Sequence, residues 1–434
     1  MDTTFLLIIL VIILALTFDL INGFHDTANT IATSVSTRAL PPRLAIVLAA
    51  SMNLIGALTF VGVAKTVSSG IVDPFKLEHG LIVVLAALLS AIIWNLITWY
   101  YGIPSSSSHA IIGSIAGAAI SSAGLGVINQ SGILKILQAL IVSPLIALAV
   151  GFTIMSLFSM IFKNFSLSKT NRGFRIFQIL TAALQSYAHG TNDAQKAMGI
   201  ITMALIAGGL QTSHEIPMWV RISAAIAMGI GTSIGGWRII KTVGNKIMKL
   251  QPVNGAAADI SSALIIFTFT ALKLPVSTTH VISSSIMGVG AAKRLKGVKW
   301  GVAQRIVMTW IITLPVAALL AGLKVRELYP PPFFDVIDCS YIIALLNSLY
   351  PQPHGLPWQL IWPHWPYLES VSQLNISLDK YKKNQCIHWG ALSSSFLQFL
   401  LTASLILVIH KLNDRYFLAL TCMLPGIQLF LYIN

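Results

Sequence analysis

Acidic side chains are scarce in this chain: Asp and Glu total 14 among 434 residues, and charged residues of both signs make up 10%. A soluble domain ordinarily carries about a quarter charged residues, so a water-exposed globular surface is excluded. Cysteine is nearly absent too. Cys339, Cys386 and Cys422 cluster near the C-terminus without metal-like spacing, so they neither staple a core nor report its redox compartment. No basic residue precedes the first apolar run and no small-residue cleavage site follows it, which predicts a retained helix rather than a signal peptide. The alternating pattern of a transmembrane barrel strand is also missing.

What the chain does have is apolar length. Hydrophobic residues make up 55% and the mean hydropathy is +0.78. Apolar runs cover 5–21, 44–64, 81–101, 133–162, 219–237, 260–272 and 302–323, mostly near the ~20 residues a spanning helix requires. The expected fold class is an all-α polytopic membrane protein with about 10–12 transmembrane segments, embedded in a lipid bilayer.

The net charge of +14 orients helices; it does not point to nucleic acid. Basic residues gather in alternate loops: Arg38 and Arg43; Lys163, Lys169, Arg172 and Arg175; Arg238, Lys241, Lys246 and Lys249; Lys293, Arg294, Lys296 and Lys299. The intervening loops near 65–79, 124–132 and 210–217 hold only Lys65 and Lys76. That is the positive-inside pattern. Counting sides between basic loops gives an odd number of crossings for residues 1–165 and again for 174–323, which predicts two inverted-topology repeats with broken or re-entrant helices. Residues 324–434 form a divergent tail, rich in Pro and Trp at first, with apolar segments at 392–409 and 416–433 that would add two helices.

Two pairs of motifs mark the duplication. Ile103-Pro-Ser-Ser-Ser-Ser-His109 is matched by Leu274-Pro-Val-Ser-Thr-Thr-His280. A proline at the first helical position leaves backbone N–H groups free at the positive end of a helix, which suits an anion. Ser105, Ser106, Ser107, Ser108, Ser277, Thr278 and Thr279 add neutral donors that would suit phosphate and still let it go. The plainer reading is hydroxyls bonded to backbone carbonyls or joining helices; two clusters at corresponding places favour a site. His109 and His280 close the motifs, either as proton carriers, given an ordinary pKa of roughly 6.5, or as neutral struts.

The second pair is Asn22-Gly-Phe-His-Asp-Thr-Ala-Asn29 and His189-Gly-Thr-Asn-Asp-Ala-Gln-Lys196. Glycine among polar residues is expected to break each helix. Asp26 with Asn29, and Asp193 with Lys196, are spaced to share one helical face. A carboxylate at such depth costs roughly 3 kcal/mol on insertion scales, so each needs a cation, a proton or Lys196 as partner. His25 and His189 lie beside the carboxylates, but their spacing specifies no metal site. Asn95 is expected to join helices, and Asp19 and Asp259 to be structural or interfacial.

With these stretches in view, and Trp94-Asn-Leu-Ile-Thr-Trp99 ahead of the first hydroxyl cluster, residues 5–323 resemble the PiT inorganic phosphate transporter family, its bacterial low-affinity branch most of all. The resemblance implies a secondary active transporter that imports inorganic phosphate, bare or as a divalent-metal phosphate such as magnesium phosphate, by symport across the bacterial inner membrane. It also implies that Asp26, Asn29, Asn192 and Asp193 line the cation side of the site. Lys196 departs from the sodium-coupled pattern, which has Asn there, and this predicts proton coupling, with sodium as the alternative. No resident cofactor is expected, and assembly as a homo-oligomer is left open. An intramembrane serine hydrolase using Ser107 or Ser108 with a histidine is a rival; it needs one activated nucleophile rather than two near-copies. A channel is a second rival.

Overall fold

The computed structural model describes residues 3–329 apart from 73–76, 78, 235, 237, 238 and 241. The expected tail helices, all three cysteines, Lys76, Arg238 and Lys241 lie outside the described residues. The first half contains α1 (Thr3–Ser36), α2 (Pro42–Thr59), α3 (Gly62–Gly70), α4 (Gly80–Tyr101), α5 (Ser107–Ala123) and α6 (Gln130–Ile161). The second contains α7 (Leu167–Ala207), α8 (Met218–Ile234), α9 (Pro252–Ala271), α10 (Thr278–Lys293) and α11 (Trp300–Leu328). A π-helical turn at Thr242–Lys246 stands where α3 stands in the first half. Among the described residues there is no β-strand, only a single bridge between Val72 and Ile128.

Six of these helices, α1, α2, α4, α6, α9 and α11, are long and apolar enough to cross a membrane. α5 and α10, at 17 and 16 residues, reach only about 25 Å at roughly 1.5 Å per residue, short of the ~30 Å hydrocarbon core. α6 shows how the faces are sorted. Its inward face carries small or polar residues (Ala139, Ser143, Ala147, Gly151) among the larger Ile136, Leu140 and Met155, while Ile141 and Leu145 are 62% and 64% exposed. Large apolar residues outside and small ones inside suit helices packed together in lipid.

The elements recur in order, and they pack reciprocally. α6 lies against α10 and α11 against α5; α2 lies against α7 and α8 against α1. Pro144 inside α6 and Pro315 inside α11 are a further repeat signal that reading the motifs alone passes over. Each half thus borrows its packing partner from the other, and neither encloses a core by itself.

The structure overturns the expected breaks at Gly23 and Gly190. α1 and α7 run unbroken through both acidic motifs. The glycines serve close approach instead. A Cβ on Gly23 would lie 2.6 Å from the Met228 carbonyl oxygen of α8, and one on Gly190 would overlap the Asn53 backbone of α2. The backbone cannot retreat from a methyl group, so Gly190→Val should lose about 2–3 kcal/mol, in the upper range for overpacking. Thermal unfolding in detergent reads this out. Gly173→Ala, where nothing lies within 4 Å, should leave the midpoint unchanged or higher.

Candidate polar site between the two halves

The real interruptions fall before the hydroxyl clusters. α4 ends on Gly102 with φ 64°, and α9 is followed by Lys273 with φ 61°, both left-handed. Glycine takes this conformation freely; lysine takes it at a cost. The chain then runs extended to Ser106 and Ser277, the N-caps of α5 and α10, whose hydroxyls accept from the backbone N–H of His109 and His280 at 3.1 and 3.3 Å. Pro104 and Pro275 therefore sit two residues before the caps and not at the first helical position. The cap needs a hydroxyl acceptor, which proline cannot supply. Backbone groups released by the break are taken up locally: Val276 donates its N–H to Asn192 and accepts from Ser108 (2.7 Å).

The two carboxylates converge here. Thr278 donates to Asp193 at 3.1 Å, and Thr279, the next residue of the same helix end, donates to Asp26 at 3.0 Å. Ser107 of the other half also donates to Asp26. Ser107 and Thr278 hold equivalent places in their motifs, so each half bonds its own carboxylate and Thr279 crosses to the partner half. Asn29 donates to Thr279 (2.8 Å), and its own side-chain oxygen has no partner. Lys196 closes on Asp193 at 2.7 Å. Asp26, Asp193 and Lys196 are each at most 1% exposed, so two carboxyl groups share this point with one amine.

His109 and His280 meet ring to ring with centroids 4.5 Å apart, and His280 stacks on Trp310 at 3.9 Å. His109 Nδ1 lies 2.8 Å from the Ser106 hydroxyl. Ser105 donates to Thr98 (2.8 Å), leaving it outside the carboxylate shell. Asn192 is held between Thr270 and the 274–276 backbone. Ser107 and Ser108, the serines considered as nucleophiles, donate to Asp26 and to the Val276 carbonyl, and neither hydroxyl bonds a histidine ring among the described residues. His25 is engaged by Asp26 (2.7 Å) and Thr98 (3.1 Å), and His189 by Asn53 (3.0 Å).

Sequence reasoning passed over the frame around this site. Asn53 of α2 donates to both Thr27 and Thr232 at 3.0 Å while its oxygen faces His189. An asparagine amid the apolar run 44–64 was the available signal. Asp259 is buried and accepts from Thr33 (2.7 Å) and Thr181 (3.0 Å). It lies inside α9, which begins earlier, at Pro252, and its bonds to α1 and α7 are structural. Asn95 does not join helices: both of its amide atoms are buried without a partner.

Comparison with known proteins places these features in a group. A family model described as the phosphate transporter family matches residues 22–170 and 163–321. The chain is 65% identical over 324 residues to a Bacillus subtilis protein named "Probable low-affinity inorganic phosphate transporter", covering 74% of this chain and 97% of that protein. A Rhizobium meliloti protein of the same name is 45% identical over 327 residues, again covering 74% and 97%. Among solved structures, one described as "The sodium-dependent phosphate transporter" matches with TM-score 0.66 and 26% identity, over 74% of this chain and 98% of the other.

Proposed function

Because this chain belongs to the phosphate transporter family, an integral membrane group of carriers and not enzymes, we propose that it imports inorganic phosphate across the bacterial inner membrane by proton-coupled symport. The single observation that carries this reading is the pair of consecutive hydroxyls, Thr278 and Thr279, that reach the carboxylates of both halves at once.

A hydroxyl has one proton to donate. In this conformation Ser107, Thr278 and Thr279 spend theirs on Asp26 and Asp193. Phosphate entering between the helix ends of α5 and α10 would take the same protons and the capped N-terminal amides. The carboxylates would then be left buried and under-bonded beside a new anion, a loss of several kcal/mol unless positive charge arrives with it. Coupling follows from that competition. Phosphate is held by Ser105–Ser108 and Ser277–Thr279, and the cation side is formed by Asp26, Asn29, Asn192, Asp193, Lys196, His109 and His280.

Lys196 decides between cations. Its ammonium already occupies Asp193, so a sodium ion there would meet like charge at close range. A proton can be accommodated without a coordination shell. The reciprocal packing of the halves supports an inverted pair that rocks about this point to open each side in turn, and phosphate can travel bare or with a divalent metal as cargo.

Labelled phosphate uptake into proteoliposomes, with proton, sodium and magnesium gradients varied independently, tests the proposal. Accumulation should follow an inward proton gradient in sodium-free medium. Uptake that collapses without sodium at constant pH and potential refutes proton coupling and favours the sodium reading suggested by the solved relative. Equilibration without accumulation would indicate a channel.

A further inference from the structure

Asp19 stands two turns before Asp26 on α1 and takes no part in the hydroxyl shell. Its side chain is fully buried, and among the described residues neither carboxyl oxygen has a hydrogen-bond partner. Asn22, one turn on and on the same face, has both amide atoms unpartnered. α4, which packs against α1 as well as against α5 and α11, carries Asn95 and Ser90, whose polar atoms are unpartnered among the described residues as well. This seam holds hydrogen-bonding capacity that the protein does not use for its own cohesion, in an interior where nearly all such groups are paired.

On α7, which packs against α1, the buried charged side chains are Asp193 and Lys196. These two are paired with each other at 2.7 Å, so their fields largely offset and neither serves Asp19 as a counterion. α4 carries no charged side chain; its Tyr100 and Tyr101 stand at the last turn. On α8, Arg221 donates to the Leu58 carbonyl, and on α2 the one cation is Arg43 in the first turn. Asp259 of α9 is bound by Thr33 and Thr181, His280 of α10 stacks on Trp310, and on α1 itself Asp26 faces His25. An ionised carboxylate with no donor and no counterion is among the costliest groups to bury. As a neutral acid it is tolerated.

We infer that Asp19 is the carboxyl that carries the coupled proton, a role that rests on the proton-symport reading above. Its charge would add to a site where two carboxyl groups already share one amine. Phosphate therefore binds best when Asp19 is neutral, and bound phosphate in turn holds the proton on Asp19. That reciprocity is what symport requires. Release of the proton needs the α1–α4 seam to open to water, and the same movement frees phosphate.

The test compares wild type, Asp19→Asn and Asp19→Glu in proteoliposomes by two readouts: net accumulation under an inward pH gradient in sodium-free medium, and phosphate–phosphate exchange without a gradient. A gradient of about one pH unit supports roughly tenfold accumulation at one proton per phosphate, and wild type and Asp19→Glu should show it. Asp19→Asn, neutral at every pH, should exchange phosphate at a rate comparable to wild type yet accumulate none. Accumulation by Asp19→Asn at the wild-type level overturns the inference. Loss of exchange together with accumulation overturns it too, since that marks a structural role. If wild type itself responds to sodium and not to the pH gradient, the coupling reading is what fails, whatever the variants do.

Discussion

In the Asp26→Asn protein, phosphate uptake should fall by about two orders of magnitude or more, the equivalent of roughly 3–5 kcal/mol for removing one partner from a buried charged network. Asp26 accepts from Ser107 of its own half and Thr279 of the other, so it is the acceptor that joins the two hydroxyl clusters. An amide presents one acceptor oxygen where the carboxylate presents two, and its NH₂ group points a second donor at hydroxyls already committed as donors. The clusters would separate or reorient, and the phosphate cradle would go with them. Initial uptake rates across a phosphate series, normalised to reconstituted protein, check this. Wild-type rates in Asp26→Asn would mean that the hydroxyls are organised without it and that the shared site is wrongly placed.

Lys196→Asn should change which cation drives transport. The ammonium lies 2.7 Å from Asp193, with both groups buried. Removing it leaves Asp193 with only the Thr278 hydroxyl and the His189 ring, 3.3 Å away, again at a cost of roughly 3–5 kcal/mol, so proton-driven uptake in sodium-free medium should drop at least about tenfold. The shortened side chain also leaves space beside Asp193 lined by carboxylate and amide oxygens, which suits a small cation. Added sodium should then restore part of the lost rate in Lys196→Asn while leaving wild type unaffected. No sodium response in the variant, with proton-driven uptake intact, would remove Lys196 from any part in cation choice.

Much of the architecture was legible from residue types alone. Apolar runs at 44–64, 81–101, 133–162 and 302–323 reappear within or across helices, because a segment in lipid must satisfy its own backbone hydrogen bonds and be apolar on its outer face. The duplicated Pro…His motifs were legible for a similar reason: polar clusters in a bilayer are too costly to recur by accident at matching places. The helix breaks were misread. Gly23 and Gly190 among polar residues look like interruptions, yet helix propensity is overridden when a neighbouring backbone needs the space a side chain would fill. Nothing local distinguishes a glycine that ends a helix from one that lets another helix approach.

The membrane class, the two acidic motifs and the two hydroxyl clusters were thus legible in composition and pattern, since burial in lipid constrains each segment independently of the others, whereas α5, α7 and α10 match none of the apolar runs. That Lys196 can pair with Asp193 was legible in their spacing on one helix; which hydroxyl meets which carboxylate, and that His109 and His280 face each other, were decided only by tertiary structure. These are distances between side chains far apart in the sequence, and they exist only once α10 and α6, and α11 and α5, have exchanged places across the two halves.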